Sequence, residues 1–200
     1  MMKTLYIKSP VEEAITKKLR TGDQVFISGV VYVGRDVAHK KIIDALDHGK
    51  SLPFELKGQT IYYMGPAPAQ PGQPIGAAGP TTSGRMDTYS PRLLAEGLKV
   101  MIGKGTRSPA VKDAIKKYQG VYMAATGGAG ALISKSIKKS EIVAYPELGT
   151  EAILRLEVED FPAIVINDIY GGDLYQEEQA KYRNAIRSRH SKRRSGKLIL

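Results

Sequence analysis

The sequence contains no cysteine. Disulfides, thiolate nucleophiles and any iron–sulfur or zinc site built on the chain's own thiolates are thereby excluded. Histidine is nearly as scarce: His39, His48 and His190 are scattered, too few and too far apart to suggest a self-contained transition-metal site. No run of about 18 apolar residues occurs, so no stretch reads as a membrane-spanning helix. Residues 1–10 alternate apolar and polar positions and lack the apolar core of a signal peptide. The cytoplasm is therefore the expected compartment, with no membrane partner. Wholesale disorder is excluded as well, because 42% hydrophobic and 25% charged residues fall in the globular range. A chain of 200 residues needs no staples, since a domain of ~150 residues already buries about two-thirds of its unfolded surface.

Acidic residues are missing from one region only. The net charge is +10, yet from Lys181 onward there are eight basic residues and no acidic one, which leaves 22 basic against 20 acidic residues in the body. Such a run serves either as an arm for nucleic acid or another acidic partner, or as a solvated terminus, the commoner case. The expected organisation is one domain over residues 1–182 followed by a basic, disordered tail over 183–200.

The body alternates strand and helix patterns and predicts an α/β fold. Strands are expected at Thr4–Ile7, at Gln24–Val33 with a bend at Gly29, and at Thr60–Met64, Lys99–Ile102, Val121–Ala124 and Ile142–Ala144. Pro162, read as a strand start or edge, separates two further strands, Ile153–Val158 and Ala163–Asn167. Helical spacing covers Val11–Leu19 and Arg35–Leu46. Ser90-Pro91 and Ser108-Pro109 each read as a capping serine before a proline at the first helical position. Gly65–Pro80 holds five of the eleven prolines and four glycines, a composition that suits an ordered, non-helical arch.

Three turns share one design, in which a strand ends and a Gly-rich or hydroxyl-rich loop leads into a helix. They are Gly34-Arg35-Asp36, Gly79–Asp87 and Gly103–Ser108. Each brings a cation (Arg35, Arg85, and Lys104 with Arg107) to a place where free backbone N–H groups already favour an anion. Singly these would be surface charges; together they point to an anionic small molecule. The P-loop spacing is absent, and Thr126–Ala131 does not give G-x-G-x-x-G in the required context, so small carboxylates fit better than nucleotides. Thr81, Thr82 and Ser83 are the candidate hydroxyls, with no activating base nearby in sequence. Asp36 and Asp87 fit helix caps or arginine partners, and His39 a packed histidine.

The strings GRDVAHK (34–40), GPTTSGRMD (79–87), IGKGTRS (102–108) and ATGGAGAL (125–132), with the proline-rich arch, resemble the β subunit of class I fumarate hydratase and L-tartrate dehydratase. The same unit forms the C-terminal domain of the single-chain enzymes, and the likeness runs from Leu5 to Tyr175. It implies a swivelling β/β/α fold and a hydro-lyase that adds water reversibly to fumarate to give (S)-malate. It also implies a four-iron four-sulfur cluster held by cysteines of an α subunit, in an assembly of two α and two β subunits. Carried over to these positions, Arg35, Arg85 and Lys104 would bind a C4 dicarboxylate and Thr81 would be the acid–base group. Thr82, Asp36 and Asp87 are secondary candidates. Dehydration of L-tartrate to oxaloacetate is the alternative chemistry; a non-catalytic nucleic-acid-binding role for the tail is the alternative class.

Overall fold

Strand β2 (Gln24–Val33) organises the molecule because both of its edges are used. The computed structural model describes residues 2–194, with side chains as far as 187. Along one edge, β1 (Thr4–Ser9) runs parallel to the first half of β2, and β3 (Thr60–Tyr62) runs parallel to its end. β4 (Val100–Gly103) and β5 (Val121–Ala124) continue the parallel series. The long strand β7 (Ile153–Asn167) then lies antiparallel to β5 and also to the free edge of β2, so the sheet closes on itself. β6 (Ile137–Ala144) flanks β7 outside the ring.

Closure explains why the strands are apolar on both faces. Val100 and Ile102 of β4 and Val121 and Met123 of β5 pack with Val25, Val31, Leu156 and Phe161 in one core. The alternate residues Ile61, Met101 and Tyr122 pack in a second core with the helices. Those helices are α2 (Asp36–Asp47), α3 (Ser90–Ala95) and α4 (Pro109–Tyr118). A short α1 (Glu13–Thr16), a one-turn α5 (Gly130–Ile133) and α6 (Leu174–Arg194) complete the helices. The α/β class is as expected, in the specific form of a sheet closed into a barrel-like ring.

Several local expectations are revised. The helix expected over Val11–Leu19 is a single turn, and Thr16 turns its hydroxyl onto the Glu13 carbonyl at 3.0 Å. Pro162 does not begin a strand: β7 runs through it, opposite Phe26. The edge reading holds locally, since Pro162 pairs with β2 alone, past the end of the β6 pairing at Val158 and before the β5 pairing at Ile164; the ladder is also irregular nearby, with Asp160 at φ +50°. The bend at Gly29 is present at φ +104°, where a side chain would collide with the Ser9 carbonyl oxygen. Ser108 caps α4 by accepting from the Val111 N–H, but Ser90 does not cap α3; it lies inside the helix and donates to the Met86 carbonyl at 2.8 Å. Helix α6 extends to Arg194, and 195–200 of the segment expected to be a tail lie outside the described residues.

Candidate functional site

Parallel strands deliver all their following loops to one end of a sheet, and side chains at that end converge. Here the C-terminal ends of β2, β3 and β4 lead to Arg35, the arch and Lys104 respectively, and β5 leads to the Gly127 loop. The arch is ordered and non-helical. Met64 pairs with Pro80 across its base, and the buried Tyr62 hydroxyl donates to the Ala78 carbonyl at 2.6 Å.

Leaving the arch, the chain threads between the ends of β3 and β4. The Thr81 N–H donates to the Tyr63 carbonyl at 2.8 Å, the Lys104 N–H to the Thr81 carbonyl at 3.1 Å, and the Ser83 N–H to the Lys104 carbonyl at 2.9 Å. This thread fits only because residue 103 is glycine: a Cβ there would overlap the Ser83 side chain and lie 2.9 Å from the Tyr63 ring. Thr81 and Lys104 are therefore held by backbone pairing rather than by a loose loop.

The side chains form a relay. Asp36 Oδ2 accepts from Arg85 Nη1 at 2.9 Å, and Arg85 Nη2 donates to Thr81 Oγ1 at 2.5 Å. Arg35, one residue before Asp36, pairs with Glu151 at 2.9 Å. The Lys104 ammonium has no ion-pair or hydrogen-bond partner among the described residues, and its stem runs past Gly127. Thr82 is exposed, and its hydroxyl has no partner among the described residues. The structure thus brings Arg35, Asp36, Thr81, Thr82, Arg85 and Lys104 to one end of the sheet. Asp87 is turned away, accepting from Arg107 Nε at 2.7 Å and from the Ser108 N–H at 2.6 Å.

Arg107, which the sequence grouped with the anion-binding cations, is part of the core. Its side chain is 0% exposed, with Nη2 2.6 Å from Ser90 Oγ and the guanidinium 4.9 Å from the Tyr122 ring centre. Burial opposes its charge, but Tyr63, Asp87 and Tyr122 outweigh that and hold it above its ordinary pKa. Ser83 is buried too, bonded to the Tyr122 hydroxyl at 2.9 Å, and burial pushes that phenol well up from its usual value. His39 is fully buried: Nδ1–H donates to the Arg35 carbonyl at 2.8 Å, while Nε2 is buried without a partner. Burial lowers its pKa from 6.5 to about 4. It is a packed histidine, as its sequence context suggested. Glu151, which ends the turn Pro146–Glu151, carried no sequence signal; it reaches Arg35 only because β7 closes the ring against β2.

No group of three or more His, Cys, Asp and Glu side chains able to hold a metal occurs among the described residues, and the chain has no cysteine. These residues do not fit an iron–sulfur cluster, so the chain offers no ligand set for one.

An α/β domain with a closed sheet, presenting cations and a threonine at the ends of its parallel strands, is the class defined by fold and site. The sequence matches the family described as Fumarase C-terminus over residues 2–178, and the chain belongs to that family. It is 44% identical over 175 residues to "Fumarate hydratase class I, aerobic" of Salmonella typhimurium, covering 86% of this chain and 30% of that protein. It is 40% identical over 178 residues to "Fumarate hydratase 2" of Leishmania major, covering 87% of this chain and 31% of that protein. It is 37% identical over 171 residues to "Putative L(+)-tartrate dehydratase subunit beta" of Methanocaldococcus jannaschii, covering 82% of this chain and 88% of that protein. The chain thus spans about 30% of the length of those fumarate hydratases.

Proposed function

We propose that this chain is the β unit of a hydro-lyase that interconverts fumarate and (S)-malate. In this reading it swivels over an α subunit that carries a four-iron four-sulfur cluster, in a cytoplasmic assembly of two α and two β subunits. The observation that carries the proposal is the relay Asp36–Arg85–Thr81 beside Lys104, whose ammonium has no partner among the described residues.

Arg85 donates to Thr81 Oγ1, filling a lone pair there and directing the hydroxyl proton away from the guanidinium. A fixed positive charge against that oxygen favours the alkoxide once a carboxylate of the α subunit takes the hydroxyl proton, and the alkoxide is the form able to take a proton from carbon. Asp36 holds Arg85 from the far side, so its geometry is set before substrate arrives. Thr81 then moves the proton at C3, and Thr82, whose exposed hydroxyl has no partner among the described residues, is the neighbouring alternative. Among the described residues, Arg35, Arg85 and Lys104 together face two carboxylates, Asp36 and Glu151. That leaves the cluster net positive for a C4 dicarboxylate. Abstracting a proton beside a carboxylate spreads negative charge onto it, where fixed cations stabilise the transition state more than the ground state.

A second reading has an observation of its own. A relative matched over 88% of its own length is named for tartrate. L-Tartrate is also a C4 dicarboxylate, and its dehydration to oxaloacetate would use the same cations and proton acceptor. The test is anaerobic co-expression with the candidate α chain, with turnover of fumarate and of L-tartrate measured for each chain and for the pair. Turnover that requires both chains supports the proposal, and the preferred substrate decides between the readings. Turnover by this chain alone, or none by a cluster-loaded pair on either substrate, overturns it.

A further inference from the structure

We propose that Glu151 is a positioning residue that fixes the Arg35 guanidinium for the substrate carboxylate, an inference that rests on the dicarboxylate reading above. Its carboxylate is 18% exposed and bridges two groups of the N-terminus of α2: Oε1 lies 2.9 Å from Arg35 Nη2, and Oε2 accepts from the Val37 N–H at 3.4 Å. The turn that carries it is tied to the same helix. Lys41 pairs with Glu147 at 3.1 Å and sits 4.6 Å from the centre of the Tyr145 ring. Immediately after Glu151 the chain is buried at Ala152 and Ile153 as it enters β7, so the carboxylate stands on a rigid element. On the opposite side the backbone at Gly65, the first residue of the arch, lies against Arg35 Nη1.

An unrestrained arginine loses substantial rotamer freedom when it captures a ligand, and a pre-set one loses less. Glu151 engages one nitrogen of a fork with five N–H donors, so donors remain for a second carboxylate. The Arg35 side chain is 22% exposed while its Nε is buried with no acceptor among the described residues, so a substrate carboxylate would meet the terminal nitrogens of the fork. Holding the fork in place, rather than competing for it, is therefore the role this geometry supports.

The experiment uses the assembled pair of chains and compares wild type, Glu151→Gln, Glu151→Ala, Arg35→Ala and the double variant Arg35→Ala with Glu151→Ala. KM and kcat are measured on fumarate and L-tartrate. Glu151→Ala should raise KM about tenfold while changing kcat far less, as loss of ground-state binding does. Glu151→Gln, which keeps an oxygen acceptor, should fall between it and wild type, and supplies the measurement if the alanine variant fails to fold. In the Arg35→Ala background, Glu151→Ala should add nothing, because a residue acting only through Arg35 has no further effect once Arg35 is gone. An unchanged KM, a lowered KM (a competing carboxylate), or effects that add in the double variant overturn the inference. A wild-type pair inactive on both substrates overturns the functional reading and this inference with it; an active wild type indifferent to Glu151 overturns this inference alone.

Discussion

Lowering the pH should destabilise this fold through one buried imidazole. His39 donates from Nδ1 to the Arg35 carbonyl, and its Nε2 lies in the core with no partner among the described residues. Protonation would place a charged N–H there with nothing to receive it. Burial is the main cause of the low pKa; the Arg35 carbonyl and Asp36 push it up, Arg107 pushes it down, and the outcome is a fall from 6.5 to about 4. Between those values the unfolded chain binds a proton that the native chain does not, so stability is fully present above pH 6.5 and falls as pH drops towards 4. At about 1.4 kcal/mol per pH unit, the window costs roughly 3 kcal/mol, a large part of an ordinary domain's stability. Urea unfolding of the chain between pH 7 and pH 4.5 measures it, with His39→Phe as reference. The variant loses a constant amount from the missing hydrogen bond, but its stability should fall less steeply with acid. Parallel curves for wild type and variant would refute the reasoning, because the acid sensitivity would then belong to other groups.

Three further outcomes are expected. Thr81→Ala in the assembled enzyme should reduce turnover by about 10²–10⁴-fold, the range for loss of a general acid–base group, without changing the melting temperature of the chain; wild-type turnover would remove Thr81 from that role. Asp87→Ala strands a guanidinium that is 0% exposed and should cost about 3–5 kcal/mol, measured by denaturant unfolding, with Asp87→Asn less damaging. Gly103→Ala pushes a methyl into Ser83 and the Tyr63 ring and should cost about 1–3 kcal/mol in the same assay, with activity reduced because Thr81 and Lys104 hang on the displaced thread.

The sequence discloses what is local. The β-branched and aromatic runs of β2 and β5 mark those strands at their observed ends, and the loop motifs place Arg35, Thr81, Arg85 and Lys104 where cations and a hydroxyl gather. It conceals whatever depends on which residues are covered. Arg107 and Arg85 look alike in their motifs, yet one is enclosed by Tyr63, Tyr122 and Ser90 while the other faces the site. Ser90 and Ser108 share a serine–proline signature, but Arg107 donates to the Ser90 hydroxyl and only Ser108 is free to cap. The sequence divides β7 at Pro162 because proline interrupts a two-sided ladder, yet at Pro162 the strand pairs with β2 alone, between the end of the β6 pairing at Val158 and the start of the β5 pairing at Ile164. Glu151 was invisible for the simplest reason: its meeting with Arg35 is a product of ring closure, and no short-range pattern encodes that.

Ring closure also sets a schedule for the chain as it is made. β2 emerges early, but one of its edges has no partner until β7 follows, after every other strand of the sheet has been synthesised. Until then the parallel series is an open sheet with a bare edge and an uncovered apolar face, the kind of surface that recruits other nascent chains. Pairings this distant in sequence form slowly. Ribosome-bound chains halted before residue 153 should therefore be bound by chaperones, and release should coincide with synthesis of the last strand, the same event that brings Glu151 to Arg35.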